Sequence, residues 1–128
     1  MAKKSDSKSL YENLSGELRR GALVLAVLAQ LKTEQYGYSL KQALAEKGLE
    51  INEGTPYPLL RRLEKQGLLK SDWRVVDAKR PRRYYIISDA GAEILEHLKQ
   101  DWQFLIGTMD KLLSVSYTHL TLPTILLV

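Results

Sequence analysis

The chain has no cysteine, two histidines and four prolines among its 128 residues. Without cysteine there is neither a disulfide framework nor a thiolate metal site, which fits a reducing compartment. The opening MAKKSDSKS is basic and polar, and no apolar signal-peptide core follows it. The most apolar early stretch, Ala22 to Leu31, is too short to cross a bilayer. These absences predict a soluble cytoplasmic protein with no membrane partner. Groups for catalysis are as scarce. His97, near Glu96 and Lys99 on a helical stretch, reads as solvated, and His119 lies close to the end of the chain. There is no Ser–His–Asp order, phosphate-binding glycine loop, dinucleotide fingerprint or metal-spaced cluster. The carboxylates are scattered among lysines and arginines, as on a solvated surface. Neither an enzyme nor a cofactor is expected.

What is present suits one modest domain: 45% apolar and 27% charged residues, with a net charge of +4. A basic balance allows a polyanionic partner without proving one. Residues 1–9, rich in Lys and Ser, are expected to be flexible or ordered only on docking. From Leu10 the leucines recur at helical spacing, and Ala22 to Leu31 reads as a helix buried on most sides. YGYSLKQALAEKG predicts a second helix, with Ser39 early and Gly48 at its end. INEGTPYPLLRRLEKQG predicts a third, with Asn52 or Thr55 as N-cap, Leu59, Leu60 and Leu63 inside, and Gly67 as the stop. The period then changes. LLKSDWRVV and RRYYIIS, joined by DAKRP, predict a β-hairpin, with Trp73 packed on its first strand. Ser88 or Asp89 caps a last helix over 89–114, whose apolar residues recur at three and four. The stripe is longer than a small body needs, so Leu95, Leu98, Trp102, Leu105, Ile106, Met109 and Leu113 are assigned to a dimer interface.

Three helices followed by a hairpin is the winged helix-turn-helix order. The expected fold is therefore mainly α with a small β-hairpin: a winged body over 10–88 plus a long C-terminal helix. With the leucines turned inward, the third helix exposes Thr55, Tyr57, Pro58, Arg61, Arg62 and Lys65, of which Arg61 suits guanine edges in a major groove. The hairpin tip carries Lys79, Arg80, Arg82 and Arg83 around Pro81. Four cations there repel one another unless a phosphate backbone neutralises them. Residues 115–128, VSYTHLTLPTILLV, hold no charge and break the helical period. A hairpin arm and a membrane-seeking tail are both compatible with this. The favoured reading is that VSYTHLTLPT resembles the conceptual translation of a sequencing-library adapter, and is not native.

YGYSLKQAL, INEGTPYPLLRRLEKQGLL and RPRRYYIISDAG together resemble the PadR-like transcriptional regulators, over roughly residues 17–113. The resemblance implies a homodimeric repressor that binds double-stranded DNA through its winged body and pairs through its C-terminal helix. The single short C-terminal helix is similar to the compact branch of that family. There, a tryptophan on the last helix stacks on flat aromatic ligands, a role that falls here on Trp102, with Ala22 and Ala26 opposite it. Aromatics on an apolar helix stripe are also ordinary core or interface. Tyr38 and the wing cations are expected on phosphates, and Thr55, Tyr57 and Arg61 on bases. Pro56 departs from the family's usual leucine and, with Pro58, removes amide donors, which predicts a late-starting recognition helix. The competing function is a protein–protein adaptor whose basic wing meets an acidic partner.

Overall fold

The computed structural model describes residues 4–51, 56–75, 77 and 80–114. They form α1 (Lys4–Gln30), β1 (Gln35–Tyr36), α2 (Gly37–Glu46), α3 (Tyr57–Lys65), β2 (Leu69–Arg74), β3 (Arg82–Ile87) and α4 (Asp89–Leu113). The chain divides into two compact units, Met1–Leu95 and Glu96–Val128. This is the winged helix-turn-helix order, mainly helical with a small antiparallel sheet. No helix among the described residues is long and apolar enough to cross a membrane.

In the first unit the core forms where the helical and strand periods coincide. Val27 and Leu28 come from the end of α1, Leu31 from the turn after it, Leu40 and Leu44 from α2, and Leu60 and Leu63 from α3. Leu69, Tyr85 and Leu95 close it, and each of these ten side chains is buried. Burying one such side chain contributes about 1.5–3 kcal/mol. Leu95 therefore leaves the set assigned to the dimer interface. It is 1% exposed in a single chain and has no surface to offer a partner.

Glycine ends two of the helices as the sequence predicts. Gly48 and Gly67 take φ of +95° and +83°, conformations that a Cβ disfavours. After each, the next amide reaches back to the carbonyl five residues earlier, Leu49 to Leu44 and Leu68 to Leu63. Gly48 and Gly67 themselves donate to Ala45 and Glu64, which completes a Schellman motif at both ends. At the start of α2, Ser39 Oγ accepts from the Tyr36 amide at 3.1 Å.

Three expectations are corrected. Residues 4–9, expected to be flexible, belong to α1: Lys4 to Leu10 contains no proline or glycine, and a helix already nucleated gains a backbone bond with each added residue. The N-cap of α3 is Pro56, which makes no side-chain cap, and Pro58 stands in the first turn. Asn52 and Thr55 lie outside the described residues, as does the tail 115–128. The third helix does start late, at Tyr57, as its prolines predict. The third correction is Trp73, which is 61% exposed rather than packed. It shares a strand face with buried Leu69 and half-buried Ser71, but the cover given by the body runs out before it.

The sheet has three strands in the order β1-β3-β2, all antiparallel. The hairpin pairs Leu69 with Ile87 and Arg74 with Arg82, and β1 adds Gln35 opposite Tyr85 and Tyr36 opposite Tyr84. The Ile87 amide also donates to the Leu31 carbonyl at 2.8 Å, fixing the wing's root to the end of α1.

Candidate nucleic-acid interface

The third helix divides its residues as its period requires. Leu60 and Leu63 are buried, while Pro58, Arg61, Arg62 and Lys65 are exposed. Arg61, Arg62 and Lys65 line an open concavity together with Glu64 and with Arg83 of β3. Helix and wing thus present one basic recess, and a single carboxylate lies within it.

The wing cations do not act as a set. Strand alternation sends Arg82 and Arg83 to opposite faces of the sheet. Arg82 lays its guanidinium over the Tyr36 ring, 4.4 Å from the centroid, and the Tyr36 ring meets Tyr84 edge-on at 5.4 Å. On that same face Arg74 is paired with Glu34 through both carboxylate oxygens. Arg83 turns toward α3. Its Nε donates to Ser71 Oγ at 2.9 Å, and its Nη2 donates to Glu64 Oε1 at 3.0 Å and Oε2 at 3.3 Å. Arg80 at the tip is exposed. Lys79 lies outside the described residues, as does Thr55.

Two tyrosines expected at DNA differ in their surroundings. Tyr38 is exposed on the first turn of α2, and its hydroxyl accepts from Gln42 Nε2 at 3.0 Å. Tyr57 is half-buried, with its ring lying on Gly37: a Cβ there would be 2.8 Å from the Tyr57 Cζ. This ring packs the start of α3 against the start of α2. Beneath the sheet, Tyr85 is buried, and burial pushes its phenol above the usual tyrosine range.

Glu64, Ser71, Tyr36 and Gly37 were not singled out from the sequence. Glu64 had a signal: four residues after Leu60 and one after Leu63, it flanks the buried stripe, where a carboxylate needs a partner. Tyr36 had none, since a two-residue strand shows no period.

In the second unit no described side chain is buried. Trp102 is 42% exposed, and Leu105, Ile106, Met109 and Leu113 are exposed with it, while Leu98 is half-buried. Ala22 and Ala26, on α1 in the first unit, are both half-buried.

Residues 24–97 match the profile of the transcriptional regulator PadR-like family. A transcriptional regulator from Mycobacterium tuberculosis is 42% identical over 80 residues, which is 62% of this chain and 74% of that protein. Among solved structures, a PadR family transcriptional regulator from Eggerthella lenta aligns with a TM-score of 0.74 at 42% identity, covering 86% of this chain and 97% of that one. A PadR-like transcriptional regulator from Bacillus cereus aligns with a TM-score of 0.66 at 34% identity, over 76% and 96%. Each of these relatives is a transcriptional regulator. With its three-helix body, basic recess and wing, the chain belongs to the PadR-like family of transcriptional regulators.

Proposed function

We propose that this regulator is a homodimeric repressor that reads a pseudo-palindromic operator in double-stranded DNA. The observation that carries the reading is the basic recess, where the exposed Arg61, Arg62 and Lys65 of α3 lie beside the wing. A nine-residue helix with one face anchored by leucines and the other basic suits entry into a major groove. Arg61 is assigned to base edges, with Thr55 and the hydroxyl end of Tyr57 as secondary contacts. Arg62, Pro58, Tyr38, Lys79, Arg80 and Arg82 are assigned to positioning along the phosphates. Two-fold symmetry of the protein would be mirrored in half-sites about one helical turn apart.

A planar aromatic or hydrophobic effector is proposed to stack on Trp102 and to favour one spacing of the two recognition helices, since a ligand shifts only an equilibrium whose states it binds unequally. The test is selection of bound duplexes from a random pool by the full chain, repeated with candidate effectors. A symmetric consensus is expected. Arg61→Ala should relax preference at one position per half-site at a cost of about 1–3 kcal/mol, while Arg80→Ala weakens all DNA alike. A pool that stays unenriched at moderate salt sinks the repressor reading. The effector is followed by tryptophan quenching in a Trp73→Phe background, because Trp73 is itself exposed and would answer a dye unspecifically. Quenching that survives Trp102→Ala in that background removes Trp102 from the effector site.

A further inference from the structure

We propose that Arg83 is a positioning residue that locks the wing to the recognition helix, with Glu64 as its anchor, and that it takes no DNA phosphate. The inference rests on the DNA-binding reading above and takes Arg83 out of the wing cations that the sequence places on phosphates. The geometry is a convergence of three elements on one carboxylate. Arg83 of β3 donates through Nη2 to both Glu64 oxygens, and Ser71 of β2 donates its hydroxyl to Glu64 Oε2. Arg83 Nε closes the triangle on Ser71 Oγ. The guanidinium carbon lies 5.5 Å from the Trp73 ring and 5.8 Å from the Tyr85 ring, so the plane of the group is held as well as its end.

Glu64 sits among Arg61, Arg62, Lys65 and Arg83, and it spends its charge on the one cation that belongs to the wing. For Arg83 to reach a phosphate, it would have to leave Glu64 or bring a second anion beside that carboxylate. Like charges at such distances repel, so the exchange gains little. The strut gains something else. Phosphate contacts set register and base contacts read sequence, so the element that holds the backbone must be rigid relative to the helix that reads. Among the described residues, Arg83, Ser71 and Glu64 form a side-chain hydrogen-bonded link between the two. Arg80 and Arg82 remain the wing's described cations for phosphate.

Lysine at position 83 separates the roles. It keeps the charge a phosphate needs, but it lacks the planar fork that spans Ser71 and Glu64. Binding is measured with the full chain on a duplex selected in vitro and on a scrambled duplex of equal length and composition, across a salt series. For Arg83→Lys and Arg83→Gln alike, the selected-over-scrambled ratio should fall roughly fivefold, a typical size for contacting pairs. The salt slope on scrambled DNA should stay where it was, whereas Arg80→Gln should lower it by about one. Glu64→Gln should reproduce the loss of ratio, and Glu64→Gln with Arg83→Gln should lose no more than either alone. A slope lowered by Arg83→Gln but kept by Arg83→Lys, or losses that simply add, would overturn the strut. Urea unfolding of the unaltered chain, Glu64→Gln, Arg83→Gln and the double variant reads the link without DNA. If the unaltered chain selects no sequence, the DNA-binding reading falls by itself, and additive unfolding effects at Glu64 and Arg83 would still overturn the strut.

Discussion

At Gly91 two effects of adding a methyl group oppose each other, and distance decides between them. Alanine in place of a helical glycine gains about 1 kcal/mol in propensity. At position 91, however, a Cβ would lie 2.1 Å from the Leu68 carbonyl oxygen and 2.8 Å from Ile87 Cγ1. That carbonyl cannot drift away cheaply, because it accepts from the Ser88 amide at 2.9 Å. Gly91→Ala should therefore destabilise by about 1–3 kcal/mol, the usual range for overpacking, and lower the midpoint of urea unfolding. Gly21 is the control. It is also helical, but nothing lies within 4 Å of its Cβ position, so Gly21→Ala should raise the midpoint.

The joint between α3 and α4 shows how elements are coupled by a few polar atoms. Ser88, 7% exposed, donates its hydroxyl to the Gly67 carbonyl at 2.6 Å and accepts from the Gly91 amide at 3.0 Å. One oxygen thus caps the start of α4 and ties it to the glycine that ends α3. Ser88→Ala should cost about 1–2 kcal/mol through the lost cap. Aspartate caps an open helix as well as serine does, but here it cannot donate to Gly67 and would face a carbonyl with a carboxylate. Ser88→Asp should therefore rescue nothing in urea unfolding, which a simple cap would predict it to do. Much of this scale was legible in the sequence: Gly48 and Gly67 punctuate α2 and α3, and Ser88 stands before the last helix. The missing parts have physical causes. Arg82 and Arg83 were read together as tip cations, whereas strand alternation parts them, Arg83 toward Glu64 and Arg82 toward Tyr36. The N-cap of α3 was misplaced because Asn52 and Thr55 satisfy the usual signal, while the helix begins only after Pro56.

At the scale of the whole molecule, α4 leaves an apolar face exposed. Trp102, Leu105, Ile106 and Met109 recur at helical spacing and are exposed in the single chain, with Leu113 one turn further on. A second copy would cover them, and the two recognition helices would then be held at a fixed spacing. Leu105→Asp tests this because it leaves the core of the first unit untouched. Pairing α4 with its mate would bury an uncompensated carboxylate, whose penalty after relaxation is still several kcal/mol. The unaltered chain should sediment as a dimer at micromolar concentration, and Leu105→Asp as a monomer with an unchanged circular dichroism spectrum. The separated chains should keep weak, salt-sensitive binding to any duplex and lose the selected one, since each would reach only a half-site. A Leu105→Asp protein that still sediments as a dimer and holds the selected duplex as before would place the pairing surface elsewhere on the chain.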